Sequence, residues 1–250
     1  DVRRRCGRRE PKAAVLHKIA GAVRGGWVVS VDLIAGLPGQ SLAGLWEDIR
    51  QLAAVGVDGF SLYELQLSPR NDAFARLYGL AGRDGRANYW LFQAAARQLA
   101  ALGYRKTLFN HWARERDTNL YFTFPERGED CLAMGTSADG VFGDYHYRHP
   151  EFRIYRHAVN GTLPGLQGGL RRSERETRLH RLETAILSSS ISPAAFGAEL
   201  GPERAQHLLA RWHAAALVET DTSRPGRLRL TGNGSWFCGA LLEEVREAAG

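Results

Sequence analysis

Apolar residues return at helical spacing through Val15, Leu16, Ile19 and Val23, behind Pro11, and after Gly25 and Gly26 give way to the run Trp27-Val-Val-Ser-Val-Asp-Leu-Ile34. The first pattern predicts a helix over 11–24, with proline at its start, where a missing N–H costs nothing. The second predicts a strand buried on both faces that ends at Gly36-Leu-Pro-Gly-Gln40. The order then repeats. Leu42, Leu45, Ile49 and Leu52 share one side of a helix over 41–54, and Gly59-Phe-Ser-Leu-Tyr-Glu-Leu65 reads as the next strand. A long helix over 86–102 stops at Gly103, and another strand is expected over 104–110. Strands alternating with helices imply βαβ units and a parallel sheet, here part of a (β/α) barrel. Barrel chemistry gathers at the C-terminal strand ends, which directs attention to 32–40, 64–70 and 110–119.

Past Tyr121 the pattern weakens, with Cys131-Leu-Ala-Met-Gly135 a short apolar run leading into Thr136-Ser-Ala-Asp-Gly140. From about 174 the character changes. A helix through Leu179, Leu182, Ile186 and Leu187 ends at the serines 188–190. Ser192-Pro193 and Gly201-Pro202 open two more helices. Two short strands, 217–220 and 227–230, flank Arg224-Pro-Gly226, and a last helix starts near Ser235. The expected division is an α/β barrel portion over 1–172 and a small helical, winged-helix-like domain over 173–250.

Length and composition suit a main domain with a small appendage. Nothing approaches the eighteen or so apolar residues of a membrane span, and no export signal opens the chain, so a cytoplasmic location is expected. The three cysteines, Cys6, Cys131 and Cys238, form no CxxC pair and encode neither a disulfide framework nor a zinc site. The net charge of +6 comes almost wholly from arginine, with lysine only at 12, 18 and 106. Solvated surface is favoured over polyanion binding for the clusters Arg3, Arg4, Arg5, Arg8, Arg9 and Arg171, Arg172.

Asp32 is the most informative single residue. A carboxylate at the centre of a buried strand needs a donor, because desolvating it alone costs several kcal/mol. Two readings are open: a salt bridge or cap beside an ordinary turn, or a backbone edge lying close to a flat ligand, with Gly36 and Gly39 removing bulk. The loop Asn110-His-Trp-Ala-Arg-Glu-Arg-Asp-Thr-Asn-Leu-Tyr121 also carries chemistry. Arg114 and Arg116 could clamp carboxylates, His111 could act on protons, and Trp112 or Tyr121 could stack on a ring. The plainer alternative is a loop held by its own arginine–acid pairs. His146, Arg148 and His149 lack a metal-ligand spacing. The serines 188–190 read as helix-end caps, not nucleophiles, since no GxSxG-like turn accompanies them.

Five blocks in order give the chain a family resemblance. Asp32-Leu-Ile-Ala-Gly-Leu-Pro-Gly-Gln40 resembles the "DLIxGLPxQ" strand end of the oxygen-independent coproporphyrinogen III oxidase-like branch of the radical S-adenosylmethionine (SAM) superfamily. Asp58–Leu65 is similar to its "xxxSxYxL" strand, and Gly103-Tyr104 to its "GY". His111-Trp-Ala-Arg114 with Asn119 resembles "xFA…N", and Asp130–Asp139 resembles "DxLGxGxxA". The match covers about residues 1–150 well and the remainder loosely.

The resemblance implies a barrel that binds SAM and a [4Fe–4S] cluster and makes a 5′-deoxyadenosyl radical acting on a porphyrin-type substrate, with an electron donor for the cluster. Carried over by motif, Asp32 contacts the adenosyl ribose or adenine, Arg8 meets the carboxylate or other polar groups of SAM, and Gly36, Gln66 and Asp139 line the pocket. A plain surface role for Arg8 stays open. His111, Arg114, Asn119 and Tyr121 become substrate contacts. The departure is the family's CxxxCxxC, which occurs nowhere in these residues. No catalytic residue or metal ligand is therefore assigned, and a fragment, inactive alone, is expected. Heme chaperones, heme-utilisation enzymes and methyltransferases on the same scaffold are alternatives. A rival from another class is a winged helix on DNA, with Arg204 and Arg211 on its recognition helix and Arg224, Arg227 and Arg229 on its wing.

Overall fold

A computed structural model describes residues 2–80, 85–120, 123–124, 130–158 and 165–250. Contacts divide the chain into two compact units, one of residues 1–118 with 232–236, the other of 119–231 with 237–250. The break therefore falls near 118, not near the expected 172. The residues around 140–170 pair among themselves in their own sheet and do not extend the first one.

In the first unit α1 (Val2–Arg5) and α2 (Lys12–Arg24) precede β1 (Ser30–Ala35), α3 (Leu42–Val55) and β2 (Gly59–Glu64). The helix α3 starts where the Ser41 hydroxyl accepts from the Gly44 N–H at 3.1 Å, and it stops at Gly56, whose φ of 95° suits a residue without a Cβ. A short α4 (Asp72–Leu77) and the long α5 (Arg86–Ala101) follow. Beyond them the strand expected over 104–110 is instead two short strands. β3 (Arg105–Lys106) bends back through Thr107–Asn110 into β4 (His111–Ala113), and the Thr107 N–H donates to the His111 carbonyl at 2.9 Å.

The sheet order is β1-β2-β4-β3. Only β1 and β2 are parallel neighbours; β4 runs antiparallel to both β2 and β3. One face carries Val31, Leu33, Phe60, Leu62 and Trp112. It packs with Leu45, Ile49 and Leu52 of α3 and Phe92, Ala95 and Leu99 of α5 into one core. Tyr104 joins it, edge-on to Phe60 at 5.0 Å, with its hydroxyl donating to the Val57 carbonyl at 2.7 Å. The segment Gly232–Trp236 packs on α5, where Tyr89 Oη donates to Asn233 Oδ1 at 2.6 Å and Gln93 Nε2 to the Gly232 carbonyl at 2.9 Å.

The other face of the same strands is polar. Ser30, Asp32 and Ile34 alternate with the core residues along β1, and Ser61, Tyr63 and His111 continue that side across β2 and β4. β1 is thus half-buried and not buried on both faces, and Trp27 before it is 71 % exposed.

The second unit holds a three-stranded antiparallel sheet, β5 (Asp139–Phe142), β6 (Tyr145–Arg148) and β7 (Gly168–Arg171), with α6 (Phe152–Ala158) between β6 and β7 in sequence. The apolar run before it is not core: Leu132 and Met134 are exposed. Then come α7 (Glu174–Leu187), α8 (Pro193–Leu200), α9 (Pro202–Ala214), the hairpin β8 (Val218–Thr220) and β9 (Leu228–Leu230), and α10 (Cys238–Ala249). A capping box joins Ser173 and Glu176 at the start of α7, and Ser192 caps α8. The serines at the end of α7 are structural: Ser189 Oγ accepts from the Leu230 N–H and Ser190 Oγ from Arg227, tying the hairpin to the helix end. Among the described residues no helix is long and apolar enough to cross a membrane.

Candidate functional site on the open face of the first sheet

The premise that Asp32 needs an internal donor does not survive. Because β1 alternates, Asp32 falls on the exposed side, and among the described residues its carboxylate has no hydrogen-bond or ion-pair partner. It lines a cleft of about 690 Å³ along the free edge of β1, walled by Val31, Leu33, Leu45 and Leu52 of the covered side and also taking in Arg8, Cys6, Leu37 and Gly39. Arg8 is exposed, and the bond from its backbone N–H to the Arg3 carbonyl at 2.9 Å fixes the turn that carries it. Lys12 at the cleft wall pairs with Asp48 at 2.5 Å, which leaves Asp32 and Arg8 as the uncommitted charges named above.

The Gly36–Gln40 turn closes one end of this cleft. Gln40 holds it: Oε1 accepts from the N–H groups of Gly36 (2.8 Å) and Leu37 (3.3 Å), and Nε2 donates to the Ile34 carbonyl at 2.9 Å. Gly36 has φ +98° and lies against the Asn88 side chain, and Gly39 has φ +74° and lies beneath the Arg5 guanidinium. Both glycines are favoured by their positive φ, and at Gly36 a Cβ would also meet the Asn88 side chain. Gln66 follows β2 at the same sheet end, where the Leu65 N–H donates to the Ala35 carbonyl at 2.9 Å. Its side chain is exposed and touches Glu64 at 3.4 Å. Asp139 lies in the other unit on β5, 3.5 Å from Arg148.

The loop 110–119 departs from expectation because β4 is antiparallel. Ala113 pairs with Gly59, the first residue of β2, so the turn after β4 lies at the far end of that strand from Gly36 and Gln66. That separation is roughly 16 Å along β2 at ~3.3 Å per residue. There His111 is buried, at 1 % exposure, and both ring nitrogens are engaged: Nδ1 with Ser61 Oγ at 3.0 Å and Nε2 with Asp117 Oδ2 at 2.9 Å.

Arg114 stacks on the Tyr104 ring, 4.5 Å from its centroid. Burial pushes the Tyr104 phenol up, against the opposing pull of Arg114. Arg116 donates to the Gly26 carbonyl at 2.7 Å and faces the buried Asp58 at 3.7 Å. Every charge of Arg114-Glu115-Arg116-Asp117 thus meets a residue elsewhere in the fold; Glu115 takes Arg105 at 3.6 Å. Asn119 belongs to the second unit and has φ +46°. Tyr121 lies outside the described residues.

Sequence reasoning missed Ser61 and Asp117 as partners of His111. For Ser61 the available signal was shared parity with His111 on facing strands, legible only once register is known; Asp117 lies in the turn after β4 and had none.

The arginines of the nucleic-acid reading are largely compensated within their unit. Arg211 pairs with Glu244, Arg229 with Glu219 at 2.8 Å and Arg224 with Asp221 at 3.4 Å, while Arg204 donates to the Ala248 carbonyl at 2.5 Å. Leu208, Leu209 and Trp212 of α9 are buried.

The chain matches coproporphyrinogen III oxidase from Escherichia coli, described as a radical SAM enzyme, with a TM-score of 0.73 at 19 % identity, over 99 % of this chain and 61 % of that one. In sequence it is 28 % identical over 231 residues to anaerobilin synthase of Escherichia coli O157:H7, which covers 88 % of this chain and 49 % of the relative. No family model matches. In sequence and in fold the chain is thus similar to these two Escherichia coli proteins. It spans about half the length of the curated relative it matches.

The two groups that the resemblance implies fare differently. SAM suits the residues present: an exposed carboxylate and a guanidinium share a cleft with Leu37, Gly39 and Gln40 of the turn. A [4Fe–4S] cluster does not, since among the described residues no three His, Cys, Asp or Glu side chains gather into a metal-holding group.

Proposed function

We propose that these residues form the adenosyl-binding part of a radical SAM enzyme that acts on a tetrapyrrole. The observation that carries this reading is the cleft in which Asp32, Arg8 and the Gly36–Gln40 turn meet. Asp32 accepts from hydroxyl or amino groups of the adenosyl portion. Arg8 donates to the carboxylate of SAM, and the backbone at Gly36 and Gly39 lies against the flat part of the ligand. Gln66, exposed just past β2 at the same sheet end, is a further candidate contact. When bound, SAM supplies the adenosyl group for radical chemistry. The cluster is assigned to polypeptide outside these residues, and no step is drawn through it.

The tetrapyrrole class is supported by the names of the two relatives, an oxidase of coproporphyrinogen III and a synthase of anaerobilin. Arg114, read as a substrate contact, lies at the opposite end of β2 from the Gly36–Gln40 turn and is not part of this proposal. Calorimetric titration of SAM into the chain tests the reading. Asp32→Ala is expected to weaken binding by about tenfold or more, the loss of a charge-assisted hydrogen bond. An unchanged affinity would remove Asp32 from the ligand set and the reading with it.

A further inference from the structure

Ser61 sits between two residues of the open face. Across the parallel pair it is level with Asp32, and across the antiparallel pair with His111. From Ser61 a buried chain of hydrogen bonds runs through His111 to Asp117, at 3.0 and 2.9 Å. Gly59 fixes that chain in place: a Cβ there would run into the Asp117 carboxylate, and the His111 ring and Ser30 hydroxyl stand 2.9 Å from the same point.

The direction of the chain follows from donor and acceptor counting. A carboxylate only accepts, so His111 Nε2 carries the hydrogen toward Asp117. With the ring neutral, Nδ1 holds a lone pair and can only accept. Ser61 must then give its single hydrogen to Nδ1, and its oxygen turns lone pairs alone toward the open face. Beside it, Asp32 also only accepts. Asp32 and Ser61 thus form a pair of acceptors about 5 Å apart at ordinary strand spacing, flanked on the same side by the Ser30 and Tyr63 hydroxyls.

The geometry points to Ser61 as a second ligand-contacting acceptor beside Asp32, with His111 and Asp117 as positioning residues that fix its polarity. The group it takes is a hydroxyl or amino donor. Resting on the adenosyl reading above, this assigns Ser61 to a donor group of the bound SAM and withdraws His111 itself from direct contact with any ligand.

Two measurements on the full chain test it. Long-range ¹H–¹⁵N correlation of the histidine rings is expected to show His111 protonated at Nε2 and bare at Nδ1, with Asp117→Ala losing that single tautomer. A protonated Nδ1 in the wild-type chain overturns the proposal whatever SAM does. In titrations with SAM, Ser61→Ala is expected to bind about tenfold more weakly, and Ser61→Thr, which keeps the hydroxyl, to stay within about twofold. Equal affinity of Ser61→Ala and wild type, with Asp32→Ala still impaired, overturns the Ser61 assignment and leaves the adenosyl reading standing. No effect of Asp32→Ala ends both. Labelling of Ser61 by a fluorophosphonate would mark it as a nucleophile activated by Nδ1, again against a fixed acceptor.

Discussion

The two faces of the first sheet are built from alternate residues of the same strands and behave as different materials. On one, Phe60 and Leu62 are fully buried and Trp112 nearly so, each against α3 or α5. On the other, the intervening Asp32, Ser61 and Tyr63 are exposed or half-exposed, and His111 is buried only because Asp117 and Ser61 satisfy it. The alternation separates stability from chemistry at single-residue resolution. A change on the covered face should cost folding free energy, whereas one on the open face should cost binding.

The sharpest test of that separation is Phe60→Ala. It removes a ring at 0 % exposure from the centre of the core and is expected to cost about 3–5 kcal/mol by chemical denaturation. Gly59→Ala comes next, although only a methyl is added. The new Cβ meets the Asp117 carboxylate, so a loss of about 1–3 kcal/mol is expected together with disturbance of the His111 ring signals.

Tyr104→Phe is milder at neutral pH, about 1–2 kcal/mol, because the Val57 carbonyl loses its donor. It also carries a pH signature. Burial raises the phenol above its ordinary 10.0, so the folded chain holds this proton more tightly than the unfolded one. Its contribution is complete below pH 10 and declines as pH rises toward the folded value. Melting curves between pH 9 and 11 should fall less steeply for Tyr104→Phe than for wild type. Smallest is Asp32→Ala, expected within about 0.5 kcal/mol of wild type because the carboxylate is exposed and unpartnered. A large destabilisation there would break the division between the faces.

Much of this was legible in the sequence, and the gaps have physical causes. Helices α2, α3 and α5 fall within a residue or two of their apolar spacing and their punctuating glycines. The run from Trp27 to Ile34 looked buried on both faces because valine and isoleucine dominate it. Asp32 and Ser30 in fact share parity, and that alone marked the open side. The hairpin at Thr107–Asn110 carries no glycine or proline, so the reversal of β4 left no local signal. With the direction of β4 unread, the 110–119 loop was assigned to the wrong end of the sheet. Asp32 and Arg8, joined in the sequence reading only through family blocks, do line one cleft. Ser61 needed the register to become visible, and Asp117, in the turn after β4, left no signal.

The Gln40 amide has a consequence of its own. One side chain supplies both acceptors and donors that a bare turn would otherwise seek from solvent, so the backbone from Ile34 to Leu37 is already frozen before any guest arrives. The entropy of shaping that rim is settled during folding, and a ligand entering the cleft meets a preorganised wall instead of having to mould one.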